Sequence, residues 1–276
     1  KAILLKKDFL EAYANLSIIL QNIGELDEAK NVAMKAIEIN PKFANAYCNL
    51  GNIFKEQREL KKAEQYYRKA IQIDENFYIA YSNLGAILKD LNKIDEALEI
   101  TQKAIKINPR YPSAYSNLGL IFRLMDQYEN AISSFKKAIS LKPNYSDAYI
   151  NLALLYKDQG NLNKSLKLIR NVIKVNPNLA VAHNNLAEIL LLMKNYNESI
   201  KEYRKAIQCQ ENYTNAYANL GRLFFDQEKY LNAISIVRQG LKINPSDTEL
   251  INGFLAISTL TSNWDELDQR LHLVKD

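Results

Sequence analysis

The chain has 276 residues, of which 47% are hydrophobic and 24% charged, a composition typical of folded globular proteins and unlike that of disordered chains. Its net charge of +5 is too small over this length to indicate nucleic-acid binding, which needs a concentrated basic face. No apolar run approaches the roughly 20 residues of a membrane-spanning helix. Two distant cysteines, Cys48 and Cys209, exclude a disulfide framework and fit a reducing compartment, so we expect a cytoplasmic protein.

The first residues repeat a phrase that occurs further along the chain. Lys-Ala-Ile stands at residues 1–3 and again from residues 35, 69, 103, 137 and 205, so that every interval is one fixed period or twice that period. We therefore predict that residues 1–9 are the remnant of a truncated preceding repeat. An N-terminal cap is the alternative interpretation.

Residues 10–247 divide into seven blocks of equal length that align without a gap, with starts at residues 10, 44, 78, 112, 146, 180 and 214. Positions are counted below from the first residue of each block. Position 7 is always Leu, position 8 is Gly, Ala or Ser, position 20 is Ala or Ser, and position 4 is Tyr except for His183.

Each block predicts two helices. Positions 4, 7, 8 and 11 follow the i, i+3, i+4, i+7 spacing of one buried helical stripe. We expect positions 27, 28 and 30 to form the buried stripe of a second helix, and small residues at positions 8 and 20 to let the two helices approach closely. A proline follows the second helix in five blocks and would end it; these are Pro41, Pro109, Pro143, Pro177 and Pro245.

The C-terminal residues depart from the pattern. Position 6 of the next block is Gly253, and residues 253–260 are apolar and uncharged. The only tryptophan, Trp264, follows. We predict a degenerate terminal helix pair over residues 248–276, with self-association through the terminal repeats as a possible consequence of its apolar surface.

The pattern of an aromatic residue, Leu-Gly, Ala and then Pro over roughly 34 residues resembles the tetratricopeptide repeat (TPR). The resemblance covers essentially the whole chain. It implies an all-α fold, a right-handed α-solenoid superhelix of stacked antiparallel helix pairs, in which no repeat buries its apolar stripe alone. In such a stack the first helix of each pair lines the concave side.

Position 6, beside the buried stripe of the first helix, is asparagine in all seven blocks. We call this set the asparagine ladder: Asn15, Asn49, Asn83, Asn117, Asn151, Asn185 and Asn219. A carboxamide offers one acceptor and two donor hydrogens, which match the C=O and N–H groups of a peptide backbone. We therefore predict a protein-interaction scaffold that binds extended polypeptide along the ladder. The alternative is that asparagine simply suits a solvated helix face.

Charged residues flank the ladder at positions 12 and 13. The candidate binding residues here are Lys55, Lys89, Arg123, Lys157, Asp90 and Asp158. Acid and base alternate, so we expect no preference for one ligand charge. A solvated face with weak local ion pairs is the competing interpretation.

The repeats are also similar to the TPR arm of O-GlcNAc transferase, which carries an uninterrupted asparagine ladder. Trp264, Asp268 and Arg270 match a Trp-x-x-x-Asp-x-Arg segment of that family, although position 263 is Asn rather than Asp. This resemblance implies an alternative function, the substrate-recruiting arm of a larger glycosyltransferase or another enzyme whose catalytic domain is not in this chain.

The sequence predicts no catalytic, cofactor or metal site. Two distant histidines, His183 and His272, cannot form a metal cluster or a triad with either cysteine. Most tyrosines occupy positions predicted to be buried, so we expect no aromatic platform for nucleic acid. We expect a protein or peptide ligand, and neither nucleic acid nor membrane as a partner.

Overall fold

A computed structural model describes residues 9–261 of the chain. Over this range the regular secondary structure is entirely helical, with fifteen α-helices and no strand. The helices are α1 (Leu10–Asn22), α2 (Leu26–Ile39), α3 (Ala44–Glu56), α4 (Leu60–Ile73), α5 (Tyr78–Asp90), α6 (Ile94–Ile107), α7 (Pro112–Leu124), α8 (Tyr128–Leu141), α9 (Ser146–Asp158), α10 (Leu162–Val175), α11 (Ala180–Leu192), α12 (Tyr196–Cys209), α13 (Thr214–Asp226), α14 (Tyr230–Ile243) and α15 (Thr248–Thr261). No helix in this range is long and apolar enough to cross a membrane.

The odd-numbered helices are the first helices of the repeats, and the even-numbered ones are the second helices. A three-residue turn, such as residues 57–59 between α3 and α4, joins the two helices of a repeat, and so short a connection makes them antiparallel neighbours. Second helices also pack against the first helix of the next repeat, as α4 does against α5. The predicted all-α fold of stacked antiparallel helix pairs is therefore confirmed.

The chain forms two compact units, residues 1–148 and 149–276, with the division inside α9. In unit 1 the main core cluster runs from Ala29 on α2 to Ile121 on α7. In unit 2 one core cluster joins α9, α10 and α11, and another extends from α11 to Ile257 on α15. Each unit thus buries apolar side chains from successive helices along its own stack.

The two helices of a repeat meet most closely at positions 8 and 20. A Cβ atom built on Gly51 would lie 2.6 Å from the ring of Tyr67, so only glycine fits beside that ring. Where serine occupies either position, it bonds across the contact. Ser17 at position 8 donates to the carbonyl of Ala29 at 2.9 Å, whereas Ser165 at position 20 donates to the carbonyl of Ala153 at 2.7 Å.

The most buried stripe of the second helix differs from the predicted one. Positions 20, 24 and 27 are buried, with position 24 at most 2% exposed in every repeat. Position 30 was predicted to be core, but Ile39, Val175 and Ile243 are 42%, 59% and 41% exposed. Position 30 lies at the last residue of the helix, just before the chain turns away, so the prediction was wrong for these residues. Cys209, at the same position, is half-buried.

In the first helix, position 10 is buried in six of the seven repeats. Ile53, Ile87, Ile121, Leu155 and Ile189 are 0% exposed there, and Leu223 is 1% exposed. The leucines of position 7 are buried in five repeats, but Leu16 and Leu118 are only half-buried. The predicted stripe therefore holds in part, and position 10 must be added to it.

The turn between the two helices has a feature that the sequence did not suggest. The residue at position 15 adopts a positive φ in every repeat. Glycine fills this position only at Gly24 and Gly160; the other five residues are Arg58, Asn92, Asp126, Lys194 and Glu228, with φ between 57° and 63°. Asn and Asp tolerate the left-handed conformation, whereas Arg58, Lys194 and Glu228 ordinarily avoid it, so at these three residues it is imposed by the turn.

The last described helix, α15, packs as a further first helix. Leu250, Phe254 and Ile257 are at most 5% exposed and join the core cluster of α13 and α14. The part of the predicted terminal pair after residue 261 lies outside the described residues. So do residues 1–8 of the predicted remnant, residues 1–9.

Candidate functional site

Four members of the asparagine ladder bond the first helix of the preceding repeat. Asn49 Nδ2 donates to the carbonyl oxygen of Ala14 at 3.1 Å. Asn117 Nδ2 donates to the carbonyl oxygen of Ser82 at 2.9 Å and reaches the hydroxyl of Ser82 at 3.1 Å. In both cases the partner lies at position 5 of the preceding repeat.

Two further ladder residues bond the preceding repeat at position 9 as well as position 5. Asn83 Nδ2 lies 3.0 Å from Asn52 Oδ1 and 3.9 Å from Cys48 Sγ. In unit 2, Asn219 Nδ2 lies 3.1 Å from Asn184 Oδ1 and 3.4 Å from Glu188 Oε1. The amide nitrogens therefore hold neighbouring first helices together.

The exposure of the ladder varies along the chain. Asn49 and Asn185 are buried, 5% and 6% exposed, Asn83, Asn117, Asn151 and Asn219 are half-buried, and Asn15 is exposed. A solvated helix face therefore does not describe the ladder, because six of its seven members are at least half-buried. The predicted role in binding peptide remains a prediction.

The predicted flanking charges have different surroundings. Lys55 is exposed, and Lys89 pairs with its own neighbour Asp90 at 2.6 Å. Arg123 is half-buried and Asp158 is exposed. Lys157 Nζ lies 2.6 Å from a carboxylate oxygen of Glu188 on the first helix of the next repeat. Lys157 thus leads directly into a larger polar network.

That network occupies the first-helix face of unit 2, with Glu188 at its centre. Glu188 accepts from Lys157 and, at 2.9 Å, from Asn184 Nδ2. Arg222 Nη2 donates to Asn219 Oδ1 at 2.7 Å, which joins the ladder to the network. Asn184, Glu188 and Arg222 were not predicted. Their signal in the sequence was their location at positions 5 and 9, one residue before and three residues after the ladder position.

The residues considered for catalysis are structural where the structure describes them. Cys48 is 3% exposed, and burial raises the pKa of its thiol to about 12. His183 is buried, as expected for its place in the repeat. Over residues 9–261, no group of three or more His, Cys, Asp or Glu side chains could hold a metal ion. His272 and the Trp264, Asp268 and Arg270 segment lie outside the described residues.

Solved structures with a similar fold include a chain of the APC/C hetero-tetramer Cut9-Hcn1, with a TM-score of 0.74 and 14% identity over 92% of this chain. The protein spans about half (50%) of that chain. A tetratricopeptide repeat protein from Parabacteroides merdae has a TM-score of 0.68 and 20% identity, covering 91% of this chain and 98% of its own. At these identities the likeness shows the fold alone. No curated protein matches the sequence significantly, and no match points to O-GlcNAc transferase in particular.

Family models give a more specific result. Models of the tetratricopeptide repeat match residues 10–43, 44–77, 146–179 and 178–246, and a TPR repeat model matches residues 85–126 and 119–160. Together these ranges cover residues 10–77 and 85–246, which is well over half of the chain. The protein therefore belongs to the tetratricopeptide repeat family.

Proposed function

We propose that this protein is an interaction scaffold that binds extended polypeptide through the carboxamide oxygens of its asparagine ladder. Membership of the tetratricopeptide repeat family supports the scaffold. The ladder supports the mode of binding, because it repeats one polar group on the same face of every first helix from Asn15 to Asn219.

The observation that carries the proposal is that four amide nitrogens of the ladder are already hydrogen-bonded within the protein. Nδ2 of Asn83, Asn117 and Asn219 each lies within reach of two acceptors in the preceding repeat. Since a carboxamide has two donor hydrogens and one oxygen with two lone pairs, the oxygens of Asn83 and Asn117 are left for a ligand. The oxygen of Asn219 accepts from Arg222 and keeps one acceptor position. The ladder would then accept hydrogen bonds from ligand N–H groups, rather than both donating and accepting as the sequence alone suggested.

The spacing favours an extended ligand. Packed helices lie roughly 8–10 Å apart, and an extended chain advances roughly 3.3 Å per residue. One ladder oxygen would therefore meet a backbone N–H about every third residue. An α-helical ligand would fit poorly, because its N–H groups are already bonded internally.

The ligand side of the proposal can be tested without altering the protein. A random dodecapeptide phage library is selected on the immobilised protein, and the best peptide is resynthesised with each backbone nitrogen methylated in turn. We expect methylation at about every third residue to weaken binding tenfold or more, and methylation elsewhere to change it less than twofold. A peptide that tolerates methylation at every position would contradict the proposal.

The protein side uses the double variant Asn83→Ala/Asn117→Ala, with Asn130→Ala as the control. Asn130 is exposed on the second helix α8, away from the ladder. We expect the double variant, but not the control, to lose affinity for peptides bound in unit 1. The ladder amides also join repeats, so binding must be measured well below the melting temperature of each variant.

A second candidate function is self-association through the N-terminal end of unit 1. Ile19 occupies position 10, yet it is 57% exposed, and Ile23 beside it is 66% exposed. A second copy packing its own Ile19 and Ile23 on this surface would bury both pairs. Light scattering of the wild type and of Ile19→Glu/Ile23→Glu tests this: a monomeric wild type would end the candidate, and a dimer that the variant dissociates would support it.

A further inference from the structure

A cavity of about 360 Å³ opens on the first-helix face of unit 2, between α13 and α15. Its floor consists of small and apolar residues: Ala218, Gly221 and Phe225 from α13, and Gly253, Ala256 and Ile257 from α15. Its volume lies at the lower end of the ~300–1,000 Å³ typical of ligand pockets.

The cavity lies where the asparagine ladder is interrupted. Position 6 is Gly253 in this repeat. The ladder residue of the repeat before it, Asn219, bonds Asn184 at position 5 of its own preceding repeat. The corresponding partner of residue 253 would be Ala218. Both ends of the missing bridge therefore line the cavity.

Packing does not require glycine at residue 253. A Cβ atom on the neighbouring Gly221 would lie 2.6 Å from Val237 Cγ2, so that glycine is needed for the helices to meet. A Cβ atom on Gly253 would lie 3.9 Å from the same Val237 atom, an ordinary contact. A larger side chain at residue 253 would therefore fill the cavity without displacing the helix.

The charges at the rim are unbalanced. Asp226 and Glu249 are both exposed there, and neither forms an ion pair within residues 9–261. The one cation among the described lining residues, Arg222, donates to Asn219 Oδ1 at 2.7 Å. Two carboxylates thus face the space above an apolar floor, which favours a ligand with a cationic group beside an apolar one.

We propose that this cavity is a specificity pocket that takes one aliphatic or aromatic side chain of a bound polypeptide, with a lysine or arginine next to it in sequence. The pocket rests on the proposed function, because the ladder is what would place the ligand backbone on this face. The ladder would bind the ligand backbone whatever its amino-acid sequence. The pocket would make binding selective for one side chain.

The test compares the wild type with Gly253→Asn, which restores the ladder residue and fills the cavity. Random dodecapeptide phage are selected on both proteins, and the best wild-type peptide is labelled with fluorescein for polarisation assays. We expect wild-type selections to be enriched in an apolar residue next to Lys or Arg. Replacing that apolar residue by Gly should weaken binding to the wild type at least tenfold, and Gly253→Asn should bind both peptides with that lower affinity.

Further comparisons test the rim carboxylates and the backbone contacts of the ladder independently of the pocket. Asp226→Asn/Glu249→Gln should remove the preference for Lys or Arg while keeping that for the apolar residue. If peptides bind and depend on backbone methylation, but Gly253→Asn and the Gly replacement change affinity less than twofold, the pocket is wrong and the ladder stands. If Gly253→Asn matters while backbone methylation does not, the ladder is wrong.

The same experiment detects two other occupants of the cavity, the chain's own C-terminal residues and a second copy of the protein. Trp264 is the only tryptophan of the chain. If Gly253→Asn shifts its fluorescence and leaves peptide binding unchanged, the cavity holds the chain's own C-terminal residues and the proposal fails. It also fails if the variant converts an oligomer into a monomer without any effect on peptide affinity.

Discussion

His183 Nδ1 lies 2.6 Å from a carboxylate oxygen of Glu202, and its Nε2 lies 2.8 Å from the carbonyl oxygen of Pro177. At the equivalent place in another repeat, the hydroxyl of Tyr115 donates to the carbonyl of Pro109 at 3.2 Å. His183 therefore keeps the bond of the usual tyrosine and adds a second one. Both ring nitrogens of His183 thus have an oxygen partner within hydrogen-bond distance.

This pairing predicts that tyrosine, the residue at position 4 of the other six repeats, would be less stable than histidine here. His183→Tyr should lower the free energy of unfolding by about 1–2 kcal/mol, because Glu202 loses its partner in a largely buried place. Adding Glu202→Leu, the residue that Leu168 provides in the preceding repeat, should recover most of the loss. Urea denaturation of the single and double variants measures the coupling, and strictly additive effects would contradict it.

Two Ile→Ala substitutions at position 10 should change the free energy of unfolding by very different amounts, because one isoleucine is buried and the other is exposed. Ile87 is 0% exposed and Ile19 is 57% exposed. Ile87→Ala should destabilise unit 1 by about 2–5 kcal/mol, because it removes buried surface and leaves a cavity. Ile19→Ala should cost less than about 0.5 kcal/mol, the usual range for exposed positions. Equal losses in chemical denaturation would show that Ile19 is covered.

The turn residues predict opposite effects of two glycine exchanges in unit 2. Lys194 has a φ of 61° and Gly160 a φ of 74°. Lys194→Gly should raise the free energy of unfolding by about 0.5–1 kcal/mol, because the left-handed conformation penalises a Cβ atom. Gly160→Ala should lower it by about 1 kcal/mol for the same reason. Thermal unfolding of both variants tests the pair, and a stabilised Gly160→Ala would refute the argument.

Glu64 predicts a pH-dependent contribution to stability. Burial opposes its ionisation, but hydrogen bonds from Lys93 at 2.9 Å and Arg68 at 2.7 Å outweigh burial and lower the pKa of Glu64 below its ordinary value of 4.5. A carboxylate with a lowered pKa stabilises the fold above its unfolded pKa, and that contribution is lost as pH falls through the folded pKa.

Glu64→Gln should therefore cost about 0.5–1 kcal/mol at pH 7, and the difference from wild type should shrink below about pH 4.5. Urea denaturation at several pH values measures this, with Glu129→Gln on the exposed face of α8 as the control. A difference that grows as the pH falls would contradict the assignment.

The burial of Cys48 predicts that its thiol reacts slowly with thiol reagents. Burial raises the pKa of its thiol to about 12, and the hydrogen bond from Asn83 offsets only part of this. Because the thiolate is the reactive form, Cys48 in a Cys209→Ser background should react with a disulfide reagent at neutral pH only as fast as the protein opens. Half-buried Cys209, tested in a Cys48→Ser background, should react faster. Rapid labelling of folded Cys48 would disprove its burial.

The fixed repeat period predicted the helix pairs because the buried stripe recurs without a gap from Leu16 to Leu220. The prediction failed at position 30, the last residue of the second helix. An apolar residue there, such as Val175, lies just before the chain turns away and is exposed. The prediction also missed the left-handed turn residue, since Arg58 and Lys194 carry no turn signal of their own. That conformation follows from the three-residue connection between antiparallel helices.

The candidate site was predictable as a face but not as a set of bonds. The sequence places asparagine at position 6, yet it cannot tell that Asn117 Nδ2 reaches the backbone of Ser82 in the preceding repeat. That contact depends on how closely two first helices approach. The cavity beside Gly253 was likewise visible only as a departure from the pattern, and its volume required the neighbouring α13.

The bonds from Asn49 to Ala14 and from Asn117 to Ser82 join the same two positions of successive repeats. Where these bonds form, one copy of the motif supplies a donor to the copy before it and an acceptor to the copy after it. Duplication or deletion of a whole copy joins surfaces that already match, so the length of the array can change during evolution without a new interface. The copy that begins at Thr248 has Gly253 in place of the donor and stands outside that rule.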